Sequence, residues 1–123
     1  FNRKTRLFEY ASAGHPPALL LTPSGEKQKL ITENFIIGGL PEFPFSKEST
    51  EITPGSTLYV FSDGAYEIEK QDGKMWSYQE MFNFIAENNQ PDGSEISSLY
   101  KHVQDLGGSQ TLDDDFSMLR VNF

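Results

Sequence analysis

Two acidic clusters and one histidine are the residues whose types and spacing could do chemistry. Asp63 is followed by Gly64, and Asp113, Asp114 and Asp115 form a triplet late in the sequence. Carboxylates are the donors that hard cations such as Mg2+ and Mn2+ prefer, so convergence of the two clusters would give an oxygen-ligand metal site. A plainer reading stands beside it. Asp-Gly is a common turn pair, and an acidic triplet in an acidic chain is ordinarily a solvated surface. Gly64 shares the ambiguity, because glycine serves both a tight turn and a close backbone approach. His15 lies between Gly14 and Pro16-Pro17, where an imidazole can donate a proton or simply sit in a rigid turn. His102 reads as a surface residue of a helical stretch, with no role assigned. The Gly38-Gly39 pair lacks the spacing of a phosphate-binding loop.

Composition narrows the setting. With 123 residues the chain fits one domain, and 37% apolar residues supply a core. The net charge of −8 repels a nucleic-acid backbone and disfavours anionic membrane surfaces. The absence of cysteine removes disulfides, thiolate zinc sites and a cysteine nucleophile. No apolar run approaches the length of a membrane span and no leader precedes the first residues, so a cytoplasmic protein is expected.

The elements that must position these residues follow from patterning. Residues 6–11, 18–21, 28–31 and 45–52 read as strands, the second and third forming a hairpin across Pro23-Ser24-Gly25-Glu26. Residues 57–61, Thr-Leu-Tyr-Val-Phe, are apolar nearly throughout, as in a strand covered on both faces, and lead straight to Asp63. Asp72-Gly73 marks a turn. Ser77 and Glu80 have capping-box spacing and predict a helix start, with Met81, Phe82 and Ile85 on its apolar face and a stop at Asn88-Asn89-Gln90-Pro91. Asp92 and Glu95 repeat that spacing ahead of Ile96, Leu99, Tyr100, Val103 and Leu106, and Gly107-Gly108 ends the second helix. Residues 116–123 close the chain as a strand returning to the sheet, which makes the fold class α+β. Both acidic clusters thus fall at strand ends, and they converge at one rim if those strands are neighbours.

Four blocks, in order, resemble one family. They are Tyr10-Ala11-Ser12-Ala13-Gly14-His15-Pro16-Pro17, Pro54-Gly55, Phe61-Ser62-Asp63-Gly64-Ala65-Tyr66-Glu67 and Asp114-Asp115-Phe116-Ser117. The family is the PPM-type, protein phosphatase 2C-like, metal-dependent Ser/Thr phosphatases in their bacterial stage II sporulation protein E / RsbU branch. The resemblance implies a partial α-β-β-α sandwich of mainly antiparallel strands, with two consecutive helices before the last strand. It implies Asp63 and Asp114 as metal ligands; beside them, Gly64 is the candidate cofactor-binding position, where glycine would let the backbone approach the metal shell or simply form a tight turn, and His15 is the candidate catalytic group or a residue of a rigid turn. The cofactor would be a pair of Mn2+ or Mg2+ ions that activate a water for hydrolysis of phosphoserine or phosphothreonine.

The chain also departs from that family. Ser56, Ser77 and Ser117 stand where an aspartate, a glycine and a threonine are usual, and the upstream Gly-Asp-x-x-Asp and Asp-x-x-Gly-His-Gly blocks are missing. Residues 1–123 therefore read as the C-terminal portion of a phosphatase domain, which by itself binds metal weakly and is inactive. The resemblance implies a phosphorylated regulatory protein as partner, with a STAS-type anti-sigma-factor antagonist as candidate. An unpaired sheet edge would favour a homodimer. The competing reading is a non-catalytic interaction module that retains the phosphatase fold.

Overall fold

The computed structural model describes residues 1–109 and 111–123. The chain packs as two compact units, the first made of Phe1–Tyr59 with Val121–Phe123 and the second of Val60–Arg120.

The first unit carries most of the strands. β1 (Leu7–Tyr10) pairs antiparallel with β4 (Glu48–Glu51), Leu7 opposite Glu51 and Tyr10 opposite Glu48. β2 (Ala18–Leu21) pairs antiparallel with β3 (Lys27–Leu30) through the expected hairpin, in which Thr22 N donates to Glu26 O at 3.0 Å. β5 (Thr57–Phe61) lies on the other side of β2, with Leu20 opposite Leu58, and β8 (Met118–Asn122) completes a sheet of order β3-β2-β5-β8. β3 and β8 are its edges. Leu19, Leu20, Leu30, Ile52 and Tyr59 are almost wholly buried, which explains why β2 and β5 read as continuous apolar runs rather than alternating ones. Ser56 is buried in the same unit, and its hydroxyl has no partner among the described residues.

The second unit is built around two helices. A 3-10 helix, Asp63–Ala65, follows β5, and the two-residue strands β6 (Ile68–Glu69) and β7 (Met75–Trp76) form a small antiparallel pair. This pair flanks the expected Asp72-Gly73 turn; strands of two residues are too short to show periodicity. α1 (Tyr78–Asn88) opens with the predicted capping box: Glu80 N donates to Ser77 Oγ at 3.4 Å and Ser77 N to Glu80 Oε2 at 2.8 Å. Lys70 Nζ donates to Glu80 Oε1 at 2.7 Å, and this bond first, then the Ser77 backbone N–H, lowers the Glu80 carboxyl to about 2.

α2 (Glu95–Gly107) starts differently from the expectation. Ser94 occupies the N-cap without a side-chain cap, and Asp92 accepts from Ser94 N at 3.0 Å instead of pairing with Glu95. Glu95 is buried, with Arg120 Nε 2.9 Å from its Oε1. That approach is close but lacks hydrogen-bond alignment. Arg120 also donates from Nη2 to Gln90 O at 2.9 Å, so one β8 side chain holds both the loop before α2 and its first residue. His102 departs from its surface reading as well. It is half-buried, stacked 4.6 Å from the Phe84 ring and edge-on to Trp76 at 5.4 Å. Among the described residues no helix is long and apolar enough to cross a membrane.

Candidate metal centre

Asp63 is exposed and opens the 3-10 helix that follows β5; Asp114 is exposed in the segment leading to β8. What brings these two distant segments together is backbone packing at Gly64. A Cβ built on Gly64 would lie 2.6 Å from Asp115 O and 2.9 Å from Asp115 C, separations that real side chains essentially never show, and 3.2 Å from Asp114 C. Glycine is required here by proximity, and its φ plays no part. Ser62 stitches the same junction. Its Oγ donates to Asp115 O at 2.6 Å and accepts from Ser117 N at 2.9 Å, while Ser62 N donates to Ser117 O at 3.0 Å. Ser62 is a positioning residue that the sequence reading passed over, although it stands beside Asp63 in the same block.

The two carboxylates face outward with spare capacity. Asp63 Oδ1 accepts the Gly64 N–H at 3.1 Å and Asp114 Oδ1 the Asp115 N–H at 2.7 Å, each using its neighbour's backbone to fix the side chain. Neither Oδ2 has a hydrogen bond among the described residues. Beside Asp114 lies a cavity of about 170 Å3 whose lining includes Glu67, Glu69, Thr111 and Asp113. Tyr66, three residues after Asp63, has its phenol raised by burial first and then by the charges of Glu67 and Asp63.

A hard cation fits these residues in kind, since exposed carboxylate oxygens fixed at a close backbone junction are its usual donors. It does not fit them in number: among the described residues no group of three or more His, Asp or Glu side chains is arranged to hold a metal. The junction offers part of a coordination shell.

His15 sits in the first unit, exposed, with Nδ1 2.8 Å from Pro16 O. A carbonyl only accepts, so Nδ1 is the donor in this contact. The turn around it is fixed from several sides. Gly14 has φ +92°, Ile36 Cγ1 lies 2.8 Å from where its Cβ would be, and Ile37 N donates to Ala13 O at 3.2 Å. Ser12 and Thr32 exchange bonds, Ser12 N to Thr32 Oγ1 at 2.7 Å and Thr32 N to Ser12 Oγ at 2.9 Å. The most recognisable sequence block is thus a heavily cross-braced turn.

The family model for Stage II sporulation protein E (SpoIIE) matches residues 1–123. Protein IcfG of Synechocystis sp. is 26% identical over 107 residues, covering 85% of this chain and 17% of that protein. Among solved structures, the SiaA-PP2C domain of Pseudomonas aeruginosa superposes with a TM-score of 0.82 at 19% identity, over 99% of this chain and 48% of that one. The PP2C phosphatase domain of SpoIIE from Bacillus subtilis, solved with a fragment of its regulatory domain, gives 0.76 at 21% identity, over 94% and 34%. A manganese-presoaked structure of the SpoIIE phosphatase domain gives 0.66 at 22% identity, over 94% and 49%. The chain spans about half or less of the length of each of these relatives. The likeness to them is one of fold, and it agrees with the α+β reading of strands, two helices and a returning strand. Matched along its whole length by the family model, the chain belongs to the SpoIIE family, with the fold of PP2C phosphatase domains.

Proposed function

We propose that Asp63 and Asp114 are metal ligands in the hydrolysis of phosphoserine or phosphothreonine on a regulatory protein, and that this chain supplies part of a centre completed elsewhere in a longer protein. The observation that supports this reading is the Gly64 junction, where a glycine packs on the Asp114–Asp115 backbone one residue from Asp63. Mn2+ or Mg2+ held by such oxygens supplies a water of lowered pKa and neutralises charge on a phosphoryl group. The chain's own contributions are to hold the two carboxylates by the bonds from Gly64 N and Asp115 N, and to fix the junction through Ser62. The manganese presoak of a SpoIIE phosphatase-domain structure supports the choice of metal. A serine-phosphorylated STAS-type protein is the proposed substrate, which sets the reaction in the cytoplasm.

The test uses the full-length protein with Mn2+ and p-nitrophenyl phosphate. Asp63→Asn should lower turnover by at least about 100-fold, beyond what loss of an outer-shell partner costs, with an unchanged melting temperature. Turnover equal to wild type would remove Asp63 from the metal centre. Wild-type protein that hydrolyses nothing with Mn2+ would leave the interaction-module reading in its place.

A further inference from the structure

The 3-10 turn that carries Asp63 is fixed at its start by Ser62 and Gly64, and its far end is held by other means. Asp63 O accepts the backbone N–H groups of Tyr66 and Glu67, each at 2.9 Å. Two such bonds closing a single turn are modest support, because 3-10 hydrogen bonds have poor geometry. The side chain of Tyr66 adds the rest. Its ring meets Phe61 edge-on at 6.1 Å with an interplanar angle of 85°, and Tyr78 at 6.1 Å and 89°. Phe82 closes the figure, 5.8 Å from the Phe61 ring and 5.5 Å from that of Tyr78. The rings of Phe61, Tyr66, Tyr78 and Phe82 thus form a closed circuit of edge-to-face contacts, a geometry that aromatic quadrupoles favour.

The circuit joins three pieces of the second unit. Phe61 ends β5, Tyr66 caps the turn, and Tyr78 and Phe82 stand one helical turn apart on α1. That helix is itself anchored by the Ser77–Glu80 capping box and by Lys70. Phe61 and Phe82 are buried core residues, whereas Tyr66 and Tyr78 lie at its margin. Because the rings of residues 61 and 66 touch, the segment between them, Asp63 included, is a short loop closed at both ends. A ring in a closed circuit moves only by breaking two contacts. We infer that Tyr66 is a positioning residue, whose ring clamps the turn presenting Asp63 to β5 and α1 and so fixes where that carboxylate meets a cation. The inference rests on the reading of Asp63 as a metal ligand given above. The ring performs this task, and the hydroxyl is not needed for it. Raised by burial and then by the charges of Glu67 and Asp63, the phenol stays neutral at physiological pH and brings no charge of its own to the site.

The experiment compares the full-length protein with Tyr66→Phe, Tyr66→Leu and Tyr78→Leu. Without metal, hydrogen exchange followed by mass spectrometry reads the turn directly. Exchange over residues 62–68 should be about tenfold faster in Tyr66→Leu, as expected for the loss of two ring contacts, and faster to a smaller degree in Tyr78→Leu. Tyr66→Phe should match wild type, and segments of α2 should be unaffected in all variants. Titration calorimetry with Mn2+ should show Kd raised about tenfold in Tyr66→Leu, the lower end of what an outer-shell partner is worth, and unchanged in Tyr66→Phe. Equal exchange and equal Kd in wild type and Tyr66→Leu would overturn the proposal. So would a Tyr66→Phe variant as impaired as Tyr66→Leu, which would assign the effect to the hydroxyl. Exchange accelerated evenly across the turn and α2 would make the ring a general stabiliser and end its positioning role. Wild-type protein that takes up no Mn2+ would refute the metal reading of Asp63 instead, and the exchange rates would still decide whether Tyr66 holds the turn.

Discussion

Gly14 and Gly64 each adjoin a residue with chemical potential, His15 in one unit and Asp63 in the other, yet the two glycines do different jobs. Gly14 has φ +92° and is needed to turn the chain, while the atoms that would crowd its Cβ belong to a side chain, that of Ile36. Gly64 is crowded by the backbone of Asp114 and Asp115, which cannot swing aside. One glycine shapes a local bend; the other permits two remote segments to touch. Only the second kind brings together segments far apart in sequence, here those that carry the exposed Asp63 and Asp114.

The comparison can be broken at each glycine in turn. Gly64→Ala drives a Cβ into main chain and should cost about 3 kcal/mol, at the upper end for overpacking, read as a lower denaturation midpoint. Manganese-dependent turnover of the full-length protein should fall with it, even where folding is restored by lower temperature. Gly14→Ala should cost about 1–2 kcal/mol, the penalty of a left-handed residue, with Mn2+ affinity unchanged. If Gly14→Ala proves the more damaging, the distinction between bend and junction fails.

Ser77→Ala acts at neither glycine and calibrates the other two, since loss of a helix cap costs about 1 kcal/mol. Its partner Glu80 adds a pH signature. The Glu80 carboxyl lies at about 2 in the folded chain against an ordinary 4.5, so its stabilisation is present above pH 4.5 and is lost as pH falls through 2. Glu80→Gln should flatten that part of an acid-denaturation curve. The smallest expected effect is at His15. A group that protonates the leaving oxygen contributes about 100-fold or more, whereas an imidazole engaged in holding a turn should cost less than about tenfold on His15→Gln. A larger loss, with a shifted pH–rate profile, would make His15 a participant in the reaction.

Sequence carried the parts of this structure that are local. The capping box of Ser77 and Glu80, the hairpin after Leu21 and the buried strand before Asp63 are each specified within a few residues, and each appears where patterning puts it. The misses are long-range. Glu95 looked like the far end of a second capping box because nothing near it announces Arg120, and the stacking of His102 depends on Phe84 and Trp76. The junction at Gly64 was legible only as two strand ends that would meet if their strands were neighbours. Ser62, which sews them together, gives no sign of it in spacing. The exposure of Ile36 and Ile37 after β3 is a property of packing that local pattern does not show.

The ion pair of Glu95 and Arg120 has a consequence for descent. The Glu95 side chain is wholly enclosed and that of Arg120 is 14% exposed, so loss of either charge strands the other in a poorly solvated place at about 3–5 kcal/mol. A lineage altering one position alone must cross that deficit, whereas replacing both with packed apolar residues need not lower stability. Across relatives the two positions should therefore be inherited or exchanged as a couple, a linkage between residues 25 apart that single-position drift would rarely undo.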